Sequence, residues 1–203
     1  MKQRLYADFF MHFDITFMIL LNIIIIVASL VWEFSIGTII IYFIGMIIFA
    51  VSEYFIHRFL FHLKTPKNPF FLKLLKRLHY DHHSNPTDLF LLFLPIWYSI
   101  PNFLILSFIF YLISASYPFT LAFAGGLITM LLVYEWKHYI AHRPIKPMTA
   151  YGRYIKKHHL LHHFKNENYW FGVSTPVMDI IFDTLKDEKS VETSKTAKDL
   201  EKR

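Results

Sequence analysis

Four long apolar runs, joined in pairs by very short polar links, constrain this chain more than any other feature. Each run approaches the ~20 residues that a helix needs to cross the ~30 Å hydrocarbon core of a bilayer. The first lacks a small-residue cleavage site and is followed at once by the second, so we do not expect a cleavable signal peptide. We predict an all-α integral membrane fold with four transmembrane helices, Ile15–Trp32, Ile36–Ile56, Leu89–Ile113 and Phe119–Trp136. Within the third helix, we expect Pro95 and Pro101 to kink or break the backbone.

The distribution of basic residues predicts the orientation of these helices. All 21 Lys and Arg lie at the start of the chain, in residues 57–88 or in residues 137–203, and the links Glu33–Ser35 and Ser114–Pro118 contain none. Under the positive-inside rule, both termini and the 57–88 loop face the cytoplasm. The basic residues border apolar spans, so the net charge of +6 suggests anionic lipid and not a nucleic acid partner. Composition favours a bacterial inner membrane, or the endoplasmic reticulum if the protein is eukaryotic.

Two short helices should form a cap on the cytoplasmic side. Asn68-Pro69 is a good helix start, which predicts a helix running to His83. Thr149 is the predicted N-cap of a second helix that runs to His163. We expect one membrane-embedded domain over residues 1–186, followed by a charged, mobile tail over residues 187–203, where apolar residues are few.

Histidine is concentrated in four tight clusters, and each cluster follows an apolar run. Residues three and four apart share one face of a helix, so the members of a cluster should converge. His57 and His62 are five apart, which corresponds to about 140° on an ideal helix, so they need a bend or a helix end near Phe61. One metal with four to six ligands cannot use ten histidines, so two adjacent metals are implied. The candidate ligands are His57, His62, His79, His82, His83, His138, His142, His159, His162 and His163.

The remaining histidines and the acidic residues are expected to have supporting roles. His12 is predicted to be a packed or hydrogen-bonded residue, and His158 is predicted to support a ligand or lie at the surface. Ligating histidines usually donate their second ring N–H to a carboxylate or carbonyl. Four acidic residues could accept such bonds, or could be ordinary interfacial charges: Glu53, Asp81, Glu135 and Asp179. The chain has no Cys, which excludes disulfides and thiolate-bound metals.

At these residues the chain resembles the fatty acid hydroxylase superfamily, and within it the fatty acid 2-hydroxylases. The matching stretches are Glu53–His62, Leu78–His83, Tyr134–His142, Lys157–Phe164 and Phe171–Leu185. The resemblance implies four transmembrane helices under a cytosolic, histidine-rich helical cap and two iron ions held by the ten histidines. It also implies activation of O2 and insertion of one oxygen into a lipid C–H bond. Zinc would fit the same ligands but could not supply the redox step.

The favoured function is therefore oxygen-dependent hydroxylation of a membrane lipid, with fatty acyl 2-hydroxylation as the first choice. The stretch before the first span is too short for a cytochrome b5 domain, so we expect a separate electron donor, cytochrome b5-like or ferredoxin-like. Three basic residues could hold a carboxylate or phosphate head, or could serve only as interface anchors, which is the commoner role: Arg58, Lys137 and Arg143. A sterol desaturase, a methyl oxidase or a carotenoid hydroxylase would use the same ligands. A membrane metal carrier is the rival from another class, although the spans lack a polar path for metal.

Overall fold

The computed structural model describes residues 2–203, and within them the chain is helical and contains no strand. This agrees with the predicted all-α class. The α-helices are α1 (Lys2–Phe10), α2 (Phe13–Trp32), α3 (Ile36–Phe55), α4 (Pro69–Leu75), α5 (Asp81–Ser84), α6 (Leu89–Leu92), α7 (Ile96–Ser114), α8 (Tyr117–His142), α9 (Ala150–Phe164) and α10 (Val177–Ile181). Two π-helical segments, Ile56–Phe61 and Lys76–Tyr80, and two 3-10 turns, Glu188–Ser190 and Leu200–Lys202, complete the set.

Four helical stretches are long and apolar enough to cross a membrane, as the sequence predicts. They are Phe13–Trp32, Ile36–Phe61, Leu89–Ser114 and Tyr117–His142. The third is interrupted between α6 and α7, where Pro95 lies at the N-cap of α7 and has no N–H to continue the hydrogen-bond ladder. Pro101 stays within α7. The predicted break therefore occurs at the first proline and not at the second.

The chain forms two compact units. The first unit comprises the chain up to Ala50 together with Leu94–Glu135, and the second comprises Val51–Phe93 together with Trp136–Arg203. We call the second the histidine unit, because all ten predicted metal ligands belong to it. These boundaries differ from the predicted division at residue 186, because the last residues pack within the histidine unit.

Inside the first unit, glycine allows α3 and α8 to approach each other closely. A Cβ on Gly126 would lie 2.0 Å from the carbonyl oxygen of Tyr42, and a Cβ on Gly45 would lie 2.2 Å from that of Phe123. Lipid is as apolar as the helix surfaces, so the hydrophobic effect does not drive membrane helices together. Small residues let the backbones approach closely and gain van der Waals contact instead. Hydrogen bonds also link these helices. Thr129 Oγ1 accepts from Asn22 Nδ2 and from the Tyr42 hydroxyl, each at 2.8 Å.

Within the histidine unit, both predicted helix starts are confirmed. Asn68 Oδ1 accepts hydrogen bonds from Phe70 N at 2.9 Å and Phe71 N at 3.3 Å, at the start of α4. Thr149 Oγ1 accepts one from Gly152 N at 3.0 Å, at the start of α9. These caps satisfy backbone N–H groups that have no partner within the helix.

A π-helical turn resolves the spacing of His57 and His62. The backbone N–H of His62 donates to the carbonyl of His57 at 3.2 Å, the hydrogen bond between residues five apart that defines a π-helix. Residues five apart thus lie one turn apart, so both rings point the same way. The sequence predicted a bend or a helix end near Phe61. The structure uses a wider turn and ends the helix at His62.

Residues 187–203 differ from the predicted mobile tail. Their backbone packs against α4, α5 and α9 through hydrogen bonds such as Ser84 Oγ to Lys198 O at 3.0 Å. Three apolar side chains in this stretch are buried, namely Val191, Ala197 and Leu200. The average composition is too polar to predict this order. A few well-spaced apolar side chains anchor the segment here, and its polar groups find partners on the histidine unit.

Candidate metal centre

The ten predicted ligands form two groups of five buried histidines. In each group, one ring nitrogen from every member lies within 4.8 Å of those of the others. The first group is His57, His62, His79, His83 and His162. The second group is His82, His138, His142, His159 and His163. Every histidine that the sequence nominated as a ligand is therefore brought together with four others.

The two groups are direct neighbours. The rings of His83, from the first group, and His163, from the second, are stacked with centroids 4.0 Å apart. The ring centroids of His162 and His163 are 5.6 Å apart. Two groups in such contact agree with the prediction of two adjacent metal sites.

Single sequence clusters divide between the two groups. His79 and His83 join the first group while His82, between them, joins the second. On α9, His162 joins the first group, and its neighbours at positions 159 and 163 join the second. The prediction that each cluster converges on one point is therefore correct only in part. A cluster that lies between two sites points some rings to each side.

Backbone carbonyls hold three rings of the first group. The Nδ1 atom of His57 lies 2.5 Å from the carbonyl oxygen of Phe171, and that of His162 lies 2.8 Å from the carbonyl oxygen of Tyr169. The Nδ1 atom of His83 lies 2.7 Å from the carbonyl oxygen of Ala197. A carbonyl can only accept, so each Nδ1 carries the hydrogen and each Nε2 presents a lone pair, as metal ligands do.

The arrangement of ring nitrogens fits a bound cation. His79 Nε2 lies 3.2 Å from the Nε2 of His57 and 3.0 Å from that of His83. Both of those partners present lone pairs, and His79 Nε2 carries at most one hydrogen, so it can donate to only one of them. The other contact faces lone pair to lone pair, which is unfavourable unless a cation lies between the nitrogens. His163, in the second group, is buried, and neither of its ring nitrogens has a hydrogen-bond partner among the described residues.

Burial keeps these rings neutral and therefore able to bind metal. Removal from water lowers the pKa of His83 to about 3, from an ordinary value of 6.5. The same cause, followed by the neighbouring histidines, holds the pKa of His79 and His163 well below 6.5. Imidazole suits zinc, iron, copper and nickel. The donor set is thus appropriate for two transition metals at neutral pH.

The loop after α9 carries two of the three anchoring carbonyls, and Trp170 lies between them. Trp170 has a φ of 59°, in the left-handed region that bulky residues rarely adopt. It is fully buried, and its N–H groups bond to the carbonyls of Thr184 at 3.0 Å and Lys186 at 2.9 Å. Strain of this kind persists where the surrounding contacts enforce it. Here the unusual φ belongs to the residue between the two carbonyls that orient His57 and His162.

Two buried carboxylates hold the next four peptide groups of this loop. Asp179 accepts from Phe171 N at 2.8 Å and from Gly172 N at 2.7 Å. Glu53 Oε1 accepts from Val173 N at 2.7 Å and Ser174 N at 2.9 Å. Four consecutive N–H groups are therefore satisfied by two side chains, which fixes the direction of the Phe171 carbonyl. These two acidic residues, nominated from the sequence, contact the backbone of the loop and not the histidine rings in these hydrogen bonds.

Gly172 is needed for the first of these contacts. A Cβ at this position would lie 2.1 Å from the Thr175 carbonyl oxygen and 2.7 Å from Asp179 Oδ2. No side chain can be accommodated there without moving the backbone. The glycine thus allows the carboxylate to reach two successive N–H groups.

The other residues nominated for supporting roles have different positions. Asp81 lies 3.5 Å from Lys76 Nζ in an ion pair. Glu135 belongs to the first unit, where its Oε1 accepts from Leu94 N at 2.9 Å. The Nδ1 atom of His12 lies 3.6 Å from Asp14 Oδ2, and this histidine belongs to neither histidine group. His158 also lies outside them, with Nδ1 2.9 Å from the Tyr154 carbonyl, as predicted for a supporting or surface residue.

The candidate basic residues all have partners within the histidine unit. Arg58 Nη1 donates to the Tyr54 hydroxyl at 2.6 Å, and its guanidinium lies 5.8 Å from the Phe171 ring centroid. The Phe171 ring in turn contacts three rings of the first group, with centroid distances of 5.4–5.7 Å. Lys137 Nζ donates to the Ser174 carbonyl at 2.6 Å. Arg143 Nη1 donates to the Thr87 carbonyl at 3.4 Å. Of the three, Arg58 is therefore separated from the metal ligands by a single aromatic ring.

The sequence did not indicate the residues that act through their backbone. Tyr169, Phe171 and Ala197 contribute carbonyl groups, which every residue has, so no sequence pattern marks them. Gly172 was the available signal, because an isolated glycine beside buried aromatics often marks a close backbone approach.

Comparison with known proteins agrees with this geometry. The family model described as fatty acid hydroxylase matches residues 42–184. The chain is 36% identical over 151 residues to a fatty acid 2-hydroxylase of Rattus norvegicus, a match that covers 72% of the chain and 40% of that protein. It is 35% identical over 153 residues to a dihydroceramide fatty acyl 2-hydroxylase of Arabidopsis thaliana, covering 72% of the chain and 60% of the relative.

A solved structure has the same fold. It is described as full-length scs7p with only the hydroxylase domain visible, and it superposes with a TM-score of 0.70 at 28% sequence identity. The match covers 87% of this chain and 66% of that one. The chain spans about two fifths of the length of the rat relative.

Proposed function

This chain belongs to the fatty acid hydroxylase family, and on that premise we propose that it hydroxylates a lipid C–H bond at a centre of two histidine-bound iron ions. We propose position 2 of a fatty acyl chain as the site of reaction, on the strength of relatives named fatty acid 2-hydroxylase and dihydroceramide fatty acyl 2-hydroxylase. The observation that carries the proposal is the contact between two groups of five buried histidines.

Iron would supply the redox chemistry, because no side chain can oxidise an unactivated C–H bond by itself. In the overall reaction, one oxygen atom of O2 enters the C–H bond and the other leaves as water. Two electrons and two protons balance the reaction, and the electrons come from a separate carrier that is cytochrome b5-like or ferredoxin-like. Zinc would occupy the same nitrogens without supporting this reaction.

The ten clustered histidines would hold the metals, and other residues of the chain orient these rings. Neutral imidazoles add no negative charge, so a metal that these histidines hold would keep a positive charge. The carbonyls of Phe171 and Tyr169 set the direction of two rings. Glu53 and Asp179 keep the loop that bears Phe171 in place. Burial of all ten rings keeps bulk water away from the reacting atoms.

Arg58 is our candidate for holding the polar head of the substrate. The residue is part exposed, and its guanidinium lies 5.8 Å from the ring centroid of Phe171, which packs on the first histidine group. A carboxylate or phosphate bound there would leave the acyl chain in the lipid while its first carbons approach the metals. In this proposal both termini and the metal centre face the cytoplasm, as the basic residues predict.

Two rival readings make different predictions. A sterol desaturase, methyl oxidase or carotenoid hydroxylase would use the same ligands, and the names of the relatives favour fatty acyl substrates. A metal carrier would need ligands along a path through the spans. All ten clustered histidines belong to the histidine unit, and neither group of candidate ligands in residues 2–203 includes a residue of the first unit.

Lipid mass spectrometry of a host that expresses the chain tests the proposal. We expect new 2-hydroxy fatty acids, and we expect them to disappear in His79→Ala, from the first group, and in His159→Ala, from the second. His158→Ala is the matched control, because it removes a neighbouring imidazole that belongs to neither group. Its product level should equal that of the unchanged protein.

Two other outcomes would redirect the assignment. If iron is bound stoichiometrically and an electron donor is supplied, yet no hydroxylated fatty acid forms, 2-hydroxylation is refuted and the sterol or carotenoid branch is favoured. Metal exchange into vesicles without lipid oxidation would support the carrier instead.

A further inference from the structure

Residues 191–203, which we call the C-terminal strap, pack on the histidine unit beyond the region that the family model matches. That region ends at residue 184. Leu200 is fully buried in a cluster with Leu75 and Tyr80, which belong to α4 and the π-helical segment after it. Ala197 is 2% exposed. The strap is therefore held by apolar burial on α4 and on the π-helical segment that carries His79.

A buried carboxylate on the opposite flank holds the strap as well. Glu167, which follows α9, is 1% exposed and accepts from Thr196 Oγ1 at 2.5 Å. Its Oε1 also lies 3.7 Å from Arg203 Nε. The backbone N–H of Ser194 donates to the Lys165 carbonyl at 2.7 Å. The strap thus connects the end of α9 with α4.

The strap contacts two ligands of the first histidine group. The carbonyl of Ala197 accepts from His83 Nδ1 at 2.7 Å. Arg203 Nη1 donates to the carbonyl of His62 at 2.8 Å and lies 3.2 Å from the Nδ1 of the same residue. Within residues 2–203, three rings of the second group have no hydrogen-bond partner at Nδ1 and so receive no equivalent support, namely His82, His159 and His163.

A carbonyl bonded to Nδ1 fixes both the rotation of the ring and the nitrogen that presents its lone pair. Loss of such a partner typically lowers metal affinity about 10–100-fold. Phe171 and Tyr169 perform this task for His57 and His162 from within the matched region. For His83 the carbonyl comes from the strap.

We propose that the C-terminal strap completes one of the two metal sites by positioning His83, so that removing it impairs the first site and spares the second. The proposal rests on the proposed two-metal centre and adds an asymmetry to it. It concerns positioning only, since the strap provides no ligand.

The test measures metal content of the purified full chain and of a variant that ends at Ser190, by elemental mass spectrometry after dialysis against a weak chelator. We expect the full chain to keep two metals and the shortened chain to keep one. Adding a synthetic peptide of residues 191–203 should restore binding of the lost metal at the first site. Circular dichroism of both proteins reports whether the helices remain.

Point variants keep the test decisive if the shortened chain does not fold. Leu200→Ala removes the apolar anchor within the intact chain and should weaken one metal about 10–100-fold. Leu200→Met should bind both metals nearly normally. Lys195→Ala changes an exposed strap residue and serves as the matched control.

The results separate the two proposals. The role of the strap would be overturned if Leu200→Ala and the shortened chain each held two metals as tightly as the unchanged protein does. Loss of both metals from a helical protein would also overturn it, because the effect would not be specific to one site. If the unchanged protein binds fewer than two metals, the two-metal centre itself is refuted.

Discussion

Asp179→Asn is the substitution that most directly tests how the histidine unit fixes its ligands. The Asp179 carboxylate is 1% exposed and accepts hydrogen bonds from Phe171 N, Gly172 N and Thr184 Oγ1 at 2.6–2.8 Å. Asparagine has nearly the same shape, but one of its two terminal atoms donates and cannot accept. At least one buried backbone N–H therefore loses its partner, and no space needs to be refilled.

The size of the effect follows from these contacts. A buried N–H without a partner costs about 1–3 kcal/mol, and a hydrogen bond to a charged acceptor contributes about 1.5–3 kcal/mol. We expect the free energy of unfolding to fall by about 2–4 kcal/mol, or about 4–16 °C in the melting temperature of a chain of this length. Because the Phe171 carbonyl orients His57, metal affinity should fall about 10–100-fold.

Thermal unfolding in detergent and competition for metal with a chromophoric chelator measure the two effects. The matched control is Asp183→Asn, since that side chain is 83% exposed, pairs only with Lys186 among the described contacts, and has a φ of 55° that asparagine tolerates. If Asp179→Asn melts and binds metal as this control does, the carboxylate does not hold the loop and the reasoning is refuted.

Three further predictions concern pH, helix packing and substrate binding. Acidification below about pH 6.5 should lower the melting temperature of the metal-free protein, because burial lowers the pKa of His83 to about 3 and the unfolded chain then binds protons that the folded chain excludes; a melting temperature that stays level down to pH 4 would contradict this. Gly126→Ala should cost about 1–3 kcal/mol, because its methyl group would meet a backbone oxygen at 2.0 Å, whereas the methyl of Gly125→Ala would meet the Ile26 side chain at 3.1 Å and should cost less in the same melting assay. Arg58→Gln should raise the KM for the lipid substrate about tenfold or more with metal content unchanged, and a parallel loss of metal would show that the residue is structural.

The spans and helix starts were accessible from sequence because short-range physics decides them. Runs of apolar residues predict membrane helices by length alone, and Asn68 and Thr149 cap their helices through contacts two or three residues away. The clustering of the ten histidines was accessible for a related reason, since histidine in this density beside apolar spans has few other uses.

The partition of the ligands was not accessible in this way. His82 and His83 are adjacent in sequence yet belong to different groups, because the elements packed around them determine which site each ring faces. The anchoring carbonyls depend likewise on contacts between distant segments, such as His83 with Ala197. The polar composition of residues 187–203 predicted a mobile tail, whereas three buried apolar side chains anchor this segment in the structure.

The π-helical segments have a consequence for anyone who would redesign this backbone. Redesigning Ile56–Phe61 at its present length as an ordinary α-helix would give hydrogen bonds of better geometry, and idealised helices are the usual route to a more robust scaffold. His57 and His62 would still be five residues apart, which on an α-helix is about 140°, so the two rings would no longer point the same way. A redesign guided by backbone geometry alone would therefore separate two candidate ligands of the first histidine group.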